Sequence, residues 1–288
     1  MVSTDGPAVA IVILNWNRPE DTAACLRSLE AQTYRNWQVI VVDNGSTDDS
    51  VPRLRADFPA VQIVVNERNL GFAGGCNVGV RRALDGAAEW VLLLNNDTVL
   101  DSRCLSELLD PRLSQYGILA PMIHHYDAPQ RLWSAGARRG PGLPDNLREQ
   151  DIRGDVISVD YVTGCAMLVR RTIFESVGLL DERFFMYYED SEFCARARRA
   201  GHLIAVVPRA RVWHKVGLSL RDDAPRERYL RMSSGVRFYR RELGSWRLAL
   251  LGLWLLSRVS DALWRGCTRG SWPGVWATLR GIRDGFHQ

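Results

Sequence analysis

Between Ala8 and Leu94 short runs of aliphatic and β-branched residues alternate with longer stretches that carry an apolar stripe at helical spacing. A strand covered on both faces has no polar alternation, whereas a surface helix keeps one apolar side, so this rhythm predicts βα units around a mainly parallel sheet. The expected strands are Ala8 to Leu14, Gln38 to Val42, Val61 to Val65 and Trp90 to Leu94, the last apolar at every position. Helices are expected from about Pro19 to Gln32, with Leu26 and Leu29 facing inward, through Leu54 behind the capping residues Ser46-Thr-Asp-Asp, and from Gly74 to Leu84. From Pro121 to Asp155 the rhythm breaks, and Gly136-Ala-Arg-Arg-Gly-Pro-Gly-Leu-Pro predicts a mobile loop. Regularity returns from Ser158 to Arg170, with a helix cap at Thr172. A helix from Ser191 to Ala200 ends at Gly201, and Leu203 to Val207 forms a further strand. The chain carries no internal repeat.

Composition changes this picture little. The 288 residues, 46% hydrophobic and 24% charged, describe an ordinary globular protein rather than a disordered one. Met1 to Pro7 lacks the basic and apolar pattern of a secretory signal, so a cytoplasmic location is expected. Cys25, Cys76, Cys104, Cys165, Cys194 and Cys267 form no C-x-x-C pair, which argues for reduced core residues over a zinc or disulfide framework. Charge is uneven: residues 221–288 hold 13 arginines and a net +7, while the rest of the chain is at −3. Lys215 is the only lysine beside 36 arginines, a skew that codon composition explains.

Ligands of open α/β sheets gather at the carboxyl ends of the strands, where loop amides and helix N-termini converge. Three polar clusters fall on that rim: Asn15-Trp-Asn-Arg18, Asp43-Asn-Gly-Ser-Thr-Asp48 and Asn95-Asn-Asp97. Asn44-Gly45 could form a plain hairpin turn, but a helix follows it rather than a pairing strand. Asp97 suits either a hard divalent cation beside a diphosphate or the N-cap of a helix beginning near Asp101. Asn69-Leu-Gly-Phe-Ala-Gly-Gly-Cys-Asn77 sets glycines before a helix, where backbone amides can approach a ligand. Glu189 and Asp190 are paired carboxylates that suit general-base work, although a first helical turn favours acids anyway. His214 follows a strand-like run, a position open to a structural or a ligand role. Tyr161 to Arg171 reads as core, with Gly164 where something approaches closely.

In this order the motifs resemble the family 2 glycosyltransferases of GT-A fold, especially their bacterial rhamnosyltransferase-like branch, over about Ala8 to Ser219. The resemblance implies a Rossmann-like catalytic domain over residues 1–220, with a nucleotide-sugar half (about 1–100) and an acceptor half (about 101–220), followed by a helical tail. It implies that Asn15 and Asn17 contact the nucleotide, that Asp43 reads the base, and that Asn69, Gly71, Gly75 and Asn77 form the nucleotide-sugar loop. Asn95 and Asn96 stand with Asp97 where the family has its D-x-D motif, Asp97 as the metal ligand, with His214 completing metal or diphosphate binding. Asp190, beside Glu189, matches the base of an inverting enzyme. The implied partners are Mg²⁺ or Mn²⁺, a nucleotide-diphosphate sugar such as dTDP-rhamnose or a UDP-hexose, and a glycan or lipid-linked acceptor of cell-wall or polysaccharide synthesis. There is one departure from the stricter motif: Asn95 and Asn96 replace carboxylates and Val99 adds none, so a weaker metal site is expected.

Trp246, Trp254, Trp264, Trp272 and Trp276 mix with the arginines of residues 221–288, a combination suited to a membrane interface and not to nucleic acid. Leu248 to Ser257 is uncharged but short of the roughly 20 residues that span a bilayer. The tail is therefore expected to lie on the inner face of the cell membrane, the alternative being a helix packed on the catalytic domain or on a homodimer partner. Two competing functions remain. A nucleotidyltransferase would need a Gly-rich, Lys-containing loop after its first strand, which Asn15-Trp-Asn-Arg-Pro19 lacks. A catalytically inactive nucleotide-sugar-binding module would bind the donor without turning it over.

Overall fold

Each expected early run forms a strand: β1 (Val9–Asn15) leads to α1 (Pro19–Glu30), β2 (Trp37–Asp43) to α2 (Ser50–Asp57), β3 (Gln62–Val65) to α3 (Gly71–Leu84), and β4 (Trp90–Asn95) follows. The computed structural model describes residues 6–139, 144–216, 224–242 and 248–287. β1 pairs in parallel with β2 and β4, and β2 with β3. Side chains alternate across a strand, so each strand feeds two cores. Val9, Ile11, Ile13, Val39, Val41, Leu92 and Leu94 join one buried cluster; Ala10, Val12, Ile40, Val42, Val91 and Leu93 join the other. Burial on both faces is why these runs lack polar alternation.

The chain continues through β5 (Thr98–Leu100), α4 (Cys104–Leu108), β6 (Tyr116–His125), β7 (Leu132–Ser134), β8 (Ala137–Arg139), β9 (Pro144–Asn146), β10 (Ile157–Val159), β11 (Ala166–Arg170), α5 (Arg171–Val177), α6 (Glu189–Arg199) and β12 (Leu203–His214). The strand order is β10-β12-β6-β11-β4-β1-β2-β3, with β5 beside β12 and β7 beside β6. β11 runs antiparallel between β4 and β6, and β12 lies parallel to β6. The break expected from Pro121 is thus corrected, because β6 runs through it to His125. Proline offers no N–H to a ladder, and the partner strand shows the disturbance. After a first shift between Leu203 and Ile204, β12 stays in register to Val207 opposite Pro121, then resumes only at Arg211 opposite Met122, with its own Pro208 among the bulged residues. The Gly-rich loop is framed by the hairpin of β8 and β9, while its residues 140–143 lie outside the described residues.

A second correction concerns the glycines before Asn77. α3 starts at Gly71, so Gly74 and Gly75 lie inside the helix. Their use is helix-on-sheet packing: a Cβ on Gly75 would sit 2.4 Å from Leu14 Cδ1, and one on Gly79 would sit 2.3 Å from Val12 Cγ1. Near the C-terminus come α7 (Ala224–Glu242), α8 (Leu248–Arg269) and α9 (Trp272–His287). α7 does not stand apart from the sheet and its flanking helices. Its Met232, Val236, Phe238 and Tyr239 share the same buried cluster as β1 and β4, and so do Leu251 and Trp254 of α8. Gly281 and Gly285 let α9 approach α7, each with its missing Cβ 2.7 Å from a backbone oxygen of that helix. Elsewhere α8 and α9 turn apolar surface outward, including Leu256, Trp264 and Trp276, each about two-thirds exposed. Trp246 and Arg247 lie outside the described residues. No helix among the described residues is long and apolar enough to cross a membrane. Five cysteines are buried thiols as expected, but Cys267 is exposed.

One chemical change should act with opposite sign at two helix positions. Gly79→Ala meets the short, stiff Val12 side chain and should destabilise by about 1–3 kcal/mol, against the roughly 1 kcal/mol that alanine gains in a helix. Gly252, in α8, has nothing within 4 Å of its missing Cβ, so Gly252→Ala should stabilise by about 0.5–1 kcal/mol. Urea unfolding midpoints of the two variants check both signs.

Candidate active site

The carboxyl ends of β1, β2 and β4 carry a lower tier of buried polar side chains that fix the loops above them. Asn15 Nδ2 donates to Asp43 Oδ2 at 2.8 Å, and Asn15 Oδ1 accepts from Thr22 Oγ1 at 2.7 Å. Asp43 also accepts from the Ser46 amide and hydroxyl, at 3.0 and 2.6 Å. Asn17, at φ 52°, accepts from the Thr47 amide. Asn44, which the sequence did not single out beyond its turn-forming pair with Gly45, joins the two loops. Its Nδ2 donates to Asn69 Oδ1 and Gly71 O, and its Oδ1 accepts from Asn66 Nδ2 and the Leu70 amide. Asn77 holds the chain ahead of α6, donating to Leu180 O and Glu182 Oε1 and accepting from the Leu180 amide.

Above this tier lies a cavity of about 470 Å³. Among the residues expected at a site, Asn69, Gly71, Asn95, Asn96, Asp97, Glu189, Asp190 and His214 line it. Asn15, Asn17, Asp43, Gly75 and Asn77 do not, and act beneath or beside it. Trp133, Glu227 and Arg231 line it without having been anticipated, and so do Trp16, Arg18 and Phe72, which lie in the expected segments but were given no role of their own. Glu227 and Arg231 belong to α7, whose contribution has no local signal because only tertiary packing brings it there.

Asp97 and His214 meet because β5 pairs with β12, setting Thr98 opposite His214, while the Lys215 amide donates to Asp97 O. His214 Nε2 lies 3.1 Å from Asp97 Oδ1 but is not aligned for a hydrogen bond; both Oδ1 and His214 Nδ1 are buried without one. Trp133 packs edge-on against the imidazole, with 4.5 Å between ring centres. Buried polar atoms are almost always satisfied, so an unpaired oxygen beside an imidazole nitrogen fits a ligand that accepts both lone pairs. A hard divalent cation is such a ligand. Among the described residues there is no group of three or more His, Cys, Asp or Glu that could hold a metal. Asp97 and His214 therefore suit a cation only if a diphosphate supplies further oxygens.

On another wall, α6 opens with the two carboxyls. Asp190 Oδ1 accepts from the Ser191 amide at 2.6 Å and the Ser191 hydroxyl at 3.1 Å, and Oδ2 accepts from the Gly164 amide at 2.9 Å. These bonds fix the carboxyl and leave one lone pair on Oδ2. Glu189 differs: its Oε2 is buried with no partner, and burial, reinforced by Asp190, pushes its carboxyl well above the usual carboxylate range. The two are thus unequal, one fixed by donors and one whose burial favours the protonated form. Just before them Tyr187 and Tyr188 adopt left-handed φ values of 71° and 67°, strain of order 1–3 kcal/mol each for side chains of this size. Arg231 stacks on Tyr187 at 4.0 Å, and Tyr188 packs against Phe238 and Tyr239.

The Glu189 carboxyl, raised in the fold, contributes stability that is complete below its unfolded value near 4.5 and is lost as pH rises toward its folded value. Glu189→Gln removes that loss. The variant should gain on wild type in urea midpoint between about pH 5 and pH 8, and a constant difference across that range would contradict the assignment.

Residues 10–178 match the model of the family described as glycosyl transferase family 2. The chain is 30% identical to the N-acetylglucosaminyl-diphospho-decaprenol L-rhamnosyltransferase of Mycobacterium tuberculosis (strain H37Rv) over 251 residues, 78% of this chain and 82% of that protein. It is also 30% identical over 201 residues to the low-salt glycan biosynthesis hexosyltransferase Agl10 of Haloferax volcanii, covering 66% of this chain and 62% of the relative's length. Among solved structures, the mannosyltransferase PcManGT from Pyrobaculum calidifontis, in complex with GDP-Man and Mn²⁺, superposes with a TM-score of 0.60 at 15% identity. That superposition covers 98% of this chain and 86% of the other, and shows a shared GT-A fold. With the matched region running from β1 to the end of α5, and a rhamnosyltransferase among its relatives, the chain belongs to glycosyltransferase family 2.

Proposed function

We propose that the protein is an inverting hexosyltransferase that moves a sugar from a nucleotide-diphosphate sugar to a hydroxyl of a lipid-linked glycan. One observation carries this reading: a single cavity brings the unpaired Asp97 Oδ1 and His214 together with Asp190 at a helix N-terminus. Asp97 and His214 would hold Mg²⁺ or Mn²⁺ against the donor diphosphate, and the cation supplies stabilisation of the charge on that leaving group. Asp190 Oδ2 accepts the acceptor's hydroxyl proton as the oxygen forms its bond to the anomeric carbon. The bond from that carbon to the diphosphate breaks on the opposite side, and its electron pair leaves with the nucleotide diphosphate. Gly164 and Ser191 keep the carboxyl aimed throughout. Burial disfavours the charged form of Glu189, so a second negative charge beside the base is opposed.

The mycobacterial relative's name specifies L-rhamnosyl transfer to a decaprenol-linked N-acetylglucosamine, and dTDP-rhamnose or a UDP-hexose is proposed as donor here. A lipid-linked acceptor gives a use to the exposed Trp264, Trp276, Leu253 and Leu256, which would rest at a membrane interface on the cytoplasmic side.

Asp190→Asn should lower kcat by about 10²- to 10⁴-fold with donor KM little changed. Asp97→Ala should instead raise donor KM in Mn²⁺ by at least about tenfold. Steady-state kinetics with saturating acceptor separate the two, and normal turnover by Asp190→Asn would remove the base. Trp264→Ser with Trp276→Ser should abolish co-flotation with anionic vesicles; undiminished flotation of the folded double variant would contradict the interface.

A further inference from the structure

A second cavity, of about 230 Å³, opens beside the first, and Thr163, Tyr188, Asp190 and Ser191 line both. Asp190 therefore stands at their junction. The walls differ in charge. The larger cavity holds Arg18, Asp97, His214, Glu227 and Arg231, whereas Asp190 is the only charged side chain among the described residues that line the smaller one. A diphosphate or nucleotide finds no cation there among those residues.

The smaller cavity is instead part aromatic and part hydroxylic. Tyr161, Tyr188, Phe238 and Tyr239 form a fixed corner, with Phe238 packed 6.1, 5.4 and 5.3 Å from the other three rings. Ser134, Asn146, Thr163 and Ser191 supply small polar groups around it. A pyranose has the same two-sided chemistry, apolar C–H faces and hydroxyl edges, and pockets that pair an apolar wall with a few placed polar groups recognise such ligands. We infer that the smaller cavity is the acceptor subsite and seats one neutral sugar ring, with a hydroxyl presented to Asp190. This rests on the reading of Asp190 as the base. Its location is set by α7 and the β8–β9 hairpin, which supply Phe238, Tyr239 and Asn146.

Saturation-transfer NMR on the full chain, with Mn²⁺ and UDP or dTDP filling the larger cavity, tests the inference. The probes are methyl glycosides of glucose, galactose, mannose, rhamnose and N-acetylglucosamine. At least one should receive saturation with the nucleotide present, and its signal should be lost in Asn146→Trp and in Ser134→Phe, two separate ways of filling the cavity from exposed or half-buried positions. Melting temperatures identify which variants fold, and one folded variant suffices. Saturation of no glycoside, displacement by the nucleotide, or a signal that survives in a folded variant would overturn the inference. Nucleotide binding by thermal shift keeps the two readings apart. If it persists while no glycoside binds, only the subsite fails; if it is absent, the glycosyltransferase reading fails with it.

Discussion

A carboxyl oxygen kept from water without a donor is costly, by about 1–3 kcal/mol, and this fold keeps one at Asp97. Much of the architecture serves that placement. β4 delivers Asp97 to the rim, β5 turns back along β12, and their pairing sets His214 beside the carboxyl. β4 is among the most deeply buried strands of the molecule, with one core on each face of the sheet. A site so braced holds its polar groups in place ahead of any ligand, and stabilisation of developing charge depends on such preorganisation.

The opposite wall obeys a different constraint. Two consecutive tyrosines in left-handed backbone conformations precede Glu189 and Asp190, and the strain is held by stacking of Tyr187 under Arg231 and of Tyr188 among Phe238 and Tyr239. Those partners all come from α7. The helix whose basic composition marked it as a tail thus helps to shape the turn ahead of Glu189 and Asp190, while α8 and α9 pack behind it and keep their outer faces apolar.

Much of this was legible before the fold was known. The β1 to β4 strands followed from apolar runs without polar alternation, and Asn95, Asn96 and Asp97 could be placed on the rim because they directly follow one such run. The roles of neighbouring residues were less visible. Gly75 sits in the stretch read as a ligand loop, and only its contact with Leu14 reveals packing. Asn15 and Asp43 sit at strand ends as ligand residues would, yet their side chains are satisfied by each other and by Ser46. Pro121 signalled a break, yet β6 runs through it, and the irregularity falls in the facing strand around Pro208. Arg231 and Glu227 reach the cavity through helix packing alone, which periodicity does not encode.

The central claim is that Asp97 and His214 grip a cation shared with the donor diphosphate. Pulsed electron paramagnetic resonance of Mn²⁺ bound with UDP or dTDP tests it directly, because an imidazole ligand imprints nitrogen modulation on the manganese signal. The account predicts nitrogen coupling in the wild-type complex and its disappearance in His214→Ala. Nucleotide-bound Mn²⁺ showing no nitrogen coupling, or coupling unchanged by that substitution, would contradict it.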